Sequence, residues 1–100
     1  LKILEREKNV WFVVYLLTTA IFIAPVFEEI IFRGFFYQTM KKYTGFWGAI
    51  IISSAVFSLL HFNAAQFLPI MGLGVLLCFV FEYTKSLIPA IFIHILNNAI

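Results

Sequence analysis

Two adjacent carboxylates and a guanidinium, Glu28, Glu29 and Arg33, stand in the apolar run Glu28-Glu29-Ile30-Ile31-Phe32-Arg33-Gly34. The chain's two histidines, His61 and His94, stand in apolar runs of their own. Charges of this kind are costly in lipid and persist where they face a protein interior, pair with one another and serve a function. Glu29 and Arg33 are four apart and share a helix face, whereas Glu28 points about 100° away from Glu29. Arg33 can then neutralise one acid while the other faces a different neighbour, so the two acids can hold different protonation states. His94 and Asn98 are again one turn apart on one face.

The set suits hydrolysis of a peptide bond. A carboxylate takes a proton from water, and a histidine orients that water or passes the proton on. A second histidine with an asparagine one turn later donates hydrogen bonds to a developing oxyanion. No activated serine or cysteine is evident, since Cys78 lies on a segment without histidine. No cofactor is the favoured reading. Zinc held by Glu28, His61 and His94 is the alternative, although the compact His-Glu-x-x-His motif is absent. Structural readings compete: an ion-pair cluster that fixes helix packing, acids exposed at a helix start, and an interhelical His94–Asn98 contact.

The elements that must position these residues follow from composition. The chain is 63% hydrophobic and 12% charged, against about 25% charged in an ordinary soluble domain. A soluble domain of this make-up would lack a polar coat. The expected class is therefore all-α, a polytopic transmembrane helical bundle. Strands are disfavoured because lipid leaves open sheet edges unsatisfied. The net charge of +2 comes from basic residues scattered at segment ends, which argues against nucleic acid and leaves membrane lipid as the surrounding partner. The lone Cys78 excludes an internal disulfide and reads as a small core or lipid-facing residue. No small-residue cleavage site precedes Glu28, so the charged start reads as a cytosolic stretch rather than a signal peptide. The chain opens on Leu1 and closes on Ile100 inside an apolar run. Residues 1–100 are thus expected to be a single membrane-embedded core, a fragment of a larger bundle.

Five apolar segments can be read, each of about 15–20 residues, near the minimum for a span. The first runs from Val10 to Ala24 and is interrupted by Pro25. A second starts near Pro25 and runs to about Tyr43, with Gly45 as stop. The third covers Phe46 to His61, and the fourth Phe67 to Tyr83, its start loosened by Pro69, Gly72 and Gly74. Ser86 caps a fifth, with Pro89 in its first turn. Five crossings would place Lys2, Arg6, Lys8, Lys41, Lys42 and Lys85 on the cytosolic side. The loops near Pro25 and at Asn63-Ala64-Ala65-Gln66, without Lys or Arg, would lie opposite. Three helices would then carry Glu28 and Glu29, His61, and His94 with Asn98 to overlapping depths.

These residues resemble a known family, the CPBP intramembrane proteases, which contains the type II CAAX prenyl endopeptidases and the bacterial Abi proteins. The likeness lies in Glu28-Glu29-x-x-x-Arg33, Phe57-x-x-x-His61 and His94-x-x-x-Asn98, in the family's order and over nearly the whole chain. It implies an intramembrane endopeptidase, glutamate-dependent rather than zinc-dependent, in which Glu28 and His61 activate the attacking water. His94 and Asn98 would form the oxyanion hole, Glu29 with Arg33 would organise the site, and Phe57 would pack beside His61. The substrate would be a membrane-associated peptide or protein, with or without a lipid modification, in CAAX-type processing or bacterial peptide maturation. The setting implied is a multi-pass protein of the bacterial cytoplasmic membrane. A non-catalytic bacteriocin-immunity or partner-binding protein of the same fold is the alternative, and a proton relay or transporter a third class.

Overall fold

The computed structural model describes residues 2–100, with side chains placed from Lys8 onward. The side chains of Lys2 and Arg6, used in the charge pattern, lie outside the described residues. Every described element is helical. Helix α1 (Lys2–Thr18) runs through a π-helical segment (Thr19–Ile23) into α2 (Ala24–Glu29), and through a second π-helical segment (Ile30–Phe36) into α3 (Tyr37–Leu59). A 3-10 turn (Ala64–Gln66), α4 (Phe67–Thr84) and α5 (Leu87–Ala99) complete the chain. Two stretches are long and apolar enough to cross a membrane, Lys8–Leu59 and Ala64–Thr84, and Leu87–Ala99 is apolar but shorter.

The loop expected at Pro25 does not form. The first two segments are one helical rod, so five separate spans are not seen. Proline in a helix clashes with the carbonyl four residues back and supplies no N–H. A π turn, closing from i to i+5, widens the helix where that conflict arises. Here Ala24 N–H bonds to Thr19 O just before Pro25. The next bond of this pattern would run from Pro25 to the Ala20 carbonyl, and proline cannot make it. Asn98 Nδ2 makes it instead, donating to Ala20 O at 3.1 Å from the far end of the chain. In the second π segment, Gln38 Nε2 donates to the carbonyls of Arg33 (3.2 Å) and Gly34 (3.0 Å). Continuity through Pro25 also separates Lys8 from Lys41 by about 50 Å along one helix. The basic N-terminal stretch and the Lys41-Lys42 pair therefore do not share a side, and the charge pattern does not hold at every loop.

The other boundaries agree with expectation. Gly45 breaks the rod at φ 80°, ψ −179°, in the left-handed half of the map where glycine meets no Cβ penalty. Ser86 caps α5 by accepting from Ile88 N at 3.2 Å, and Pro89 sits in the first turn. Lys85, with φ 57°, closes α4 in the left-handed conformation. Pro69, Gly72 and Gly74 do not interrupt α4.

Packing is inverted relative to a soluble domain. Glu29, Arg33, Ser53, Ser54, Ser58 and His94 are buried, while Trp11, Phe12, Tyr15, Phe35, Leu68 and Phe92 are exposed. Such an apolar exterior far exceeds what water tolerates, and with two long apolar helices it marks a membrane protein. Small residues bring α3 and α4 together, as in helix pairs that lack a hydrophobic drive. A Cβ on Gly74 would stand 3.2 Å from the Cα and Cβ of Ser54. Cys78 is buried there, with Ser53 Oγ 3.5 Å from its sulfur.

Candidate active site

The second π segment aims Arg33 into the bundle, and the i,i+4 relation with Glu29 holds: Arg33 Nη1 lies 3.3 Å from Glu29 Oε2, both side chains buried. Arg33 Nη2 donates to Gly74 O at 2.9 Å, and the guanidinium carbon sits 4.7 Å above the Phe57 ring. That stacking adds cation–π attraction where no water competes. The pairing is close but not aligned for hydrogen bonding, since Arg33 Nη1 and Nε and Glu29 Oε2 have no hydrogen-bond partner.

His94 joins the two acids. Its Nδ1 is 3.2 Å from Glu29 Oε1 and its Nε2 is 3.4 Å from Glu28 Oε2. Glu28 is 31% exposed where Glu29 is fully buried, so the two acids do have unlike environments. Glu28 Oε2 is itself buried without a hydrogen-bond partner. Phe57 forms the floor, edge-on to Phe32, His61 and His94 at 5.2, 5.0 and 5.7 Å between ring centres.

His61 and Asn98 stand at the margin of this cluster. His61 packs on Phe57, and its Nδ1 lies 2.8 Å from Phe57 O, so Nδ1 carries the proton that the carbonyl accepts. That tautomer leaves Nε2 with its lone pair free. Asn98 donates one amide hydrogen to Ala20 O, and its second remains available. The zinc alternative fits poorly: both nitrogens of His94 face carboxylates, and His61 is turned to its own helix. Among the described residues no three His, Cys or carboxylate side chains are grouped to hold a metal ion.

Two features escaped sequence reasoning. One is the seat of Arg33, formed by Gly74 and Ser54 on α4 and α3. The other is Glu82, which accepts from Tyr37 Oη at 2.7 Å, Lys41 Nζ at 2.5 Å and Lys85 Nζ at 2.6 Å. An acid three residues before Lys85 in an otherwise apolar helix was the available signal. A cavity of about 660 Å³ opens beside this cluster, and one of about 240 Å³ lies between Ser58, Phe62 and Phe67. Neither is lined by Glu28, Glu29 or His94.

Comparison with known proteins gives a consistent picture. The chain is 32% identical over 76 residues to a Bacillus subtilis (strain 168) protein named "Putative membrane peptidase YdiL", covering 76% of this chain and 31% of that protein. It is 35% identical over 83 residues to "Membrane-embedded CAAX protease MroQ" of Staphylococcus aureus (strain USA300), covering 76% of this chain and 33% of that protein. The chain thus spans about a third of the length of these relatives. No solved structure matches it. The sequence pattern described as "Type II CAAX prenyl endopeptidase Rce1-like" matches residues 9–100, and the chain belongs to that family.

Proposed function

We propose that the chain carries the catalytic centre of a multi-pass membrane endopeptidase of the bacterial cytoplasmic membrane. Its substrate would be a peptide or protein tail, with or without a lipid modification. The observation that supports this most is His94 set between two buried carboxylates of unequal exposure, one of them paired with Arg33. In this reading Glu28 takes a proton from water as the oxygen attacks the scissile carbonyl carbon. His61 Nε2 orients that water from the margin. His94, with the spare amide hydrogen of Asn98, faces the oxyanion. Collapse of the intermediate breaks the carbon–nitrogen bond, and Glu28 returns the proton to the leaving amine. Glu29 and Arg33 hold His94 and the local field in place, and no step requires a metal.

The test uses the detergent-purified full-length protein and a farnesylated C-terminal-tail peptide beside its unmodified counterpart. Glu28→Gln should lower the cleavage rate by roughly 10²–10⁴-fold, the usual contribution of a general base, with membrane insertion unchanged. A Glu28→Gln enzyme at the parental rate would sink the proposal. Exhaustive chelation should leave the rate as it was, and loss of activity restored by zinc would replace this mechanism with a metal-assisted one.

A further inference from the structure

At the Lys41–Lys85 end, far along the rod from Glu28, the cavity of about 660 Å³ is lined by Lys41, Lys42, Lys85, Glu82, Phe81 and Leu87, with Gln38 at its edge. Three ammonium groups meet one carboxylate there, leaving two positive charges in excess. Glu82 holds Lys41 and Lys85 in fixed positions through separate oxygens and is itself fixed by Tyr37 Oη. Each ammonium has three donors, so both held lysines keep hydrogens for a further acceptor. Lys42 faces the same cavity with no carboxylate partner among the described residues. Phe81 and Leu87 give the cavity an apolar side that continues onto the exposed helix surfaces.

Depth comes from an independent feature. Tyr43, Trp47 and Tyr83 are largely exposed and lie within a few residues of these lysines. Exposed Tyr and Trp collect at the headgroup level of a bilayer. Basic pockets between helices at that level suit anionic headgroups.

We propose that this cavity binds the phosphate of an anionic phospholipid, its acyl chains lying along Phe81 and Leu87. The apolar side selects a lipid over a free phosphate ion, which shares the anionic chemistry but has no use for that wall. This site is independent of the cleavage reading, because it involves none of the residues placed in that reaction.

The purified full-length protein is delipidated in zwitterionic detergent and offered equal amounts of phosphatidylglycerol and phosphatidylcholine. Lipid that stays bound is extracted and quantified by mass spectrometry. Phosphatidylglycerol should be retained in preference. Lys42→Ala should weaken its retention about fivefold, the effect of one basic residue at an anionic surface, and Lys42→Arg should restore it. Lys42 is exposed and forms no hydrogen bond in the fold, so its loss leaves the Glu82 clamp intact. Equal retention of the two lipids, or undiminished phosphatidylglycerol in Lys42→Ala, would overturn the proposal. Millimolar inorganic phosphate should leave the lipid in place, and complete displacement by it would assign the cavity to a free anion instead.

Discussion

The buried diacid cluster and the Glu82 cluster contain the same kinds of group, carboxylates beside cations, yet they are put together in opposite ways. Around Glu82 each carboxylate oxygen meets an ammonium at hydrogen-bonding distance, and Lys41 and Lys85 side chains are 39% and 69% exposed. Around Glu29 the ions are almost wholly buried, and four polar atoms of Glu28, Glu29 and Arg33 lack a hydrogen-bond partner. Unpartnered buried polar atoms cost free energy, and in native proteins they concentrate where chemistry or a bound group needs them. The satisfied cluster behaves as an anchor, and the unsatisfied one retains capacity for a ligand.

The largest effect that could break this contrast is expected at Arg33. Arg33→Leu strands the buried Glu29 carboxylate and should cost about 3–5 kcal/mol, read by unfolding in mixed micelles with increasing dodecyl sulfate. The same change in a Glu29→Gln background should cost clearly less, since no lone charge remains. Equal losses in both backgrounds would show that Arg33 matters for packing and not for charge. Gly74→Ala comes next. Its methyl group would press on Ser54 and stand 3.3 Å from Arg33 Nη2, for a loss of about 1–3 kcal/mol typical of overpacking. A neutral result would mean that α3 and α4 part more easily than their small-residue contact implies. The smallest effect belongs to Glu82→Gln. With both lysines more than a third exposed, its ion pairs should contribute within about 1 kcal/mol, and added salt should shrink even that. A loss as large as that of Arg33→Leu would erase the contrast.

Local pattern predicted what local physics decides. The Glu29–Arg33 pairing follows from helical spacing, the Ser86 cap from its side-chain oxygen, and the Gly45 break from a backbone angle that other residues avoid. The extent of α4 followed from its apolar run. Pro25 misled because the partner that makes a continuous helix tolerable there, Asn98, is 78 residues away and sends no local signal. Glu82 stayed unread for the same reason, its partners Tyr37 and Lys41 lying 45 and 41 residues back. The convergence of Glu28, Glu29 and His94 was anticipated from depth on separate helices. Depth alone did not reveal that one imidazole would meet both acids, nor that His61 would turn to its own backbone.

The two π segments have a bearing on descent as well as on shape. Each closes its turns one residue later than an α-helix does, which amounts to carrying a supernumerary residue. Losing one residue between Ile30 and Phe36 would restore ordinary pitch and rotate everything downstream by about 100°. Tyr37 and Lys41 would then swing away from Glu82 while Glu28 and Glu29 stayed where they are. The two clusters are therefore held in phase by chain length as much as by side chains. Within this stretch a single-residue deletion is a heavier change than most substitutions, and gap placement becomes a structural statement when relatives are aligned.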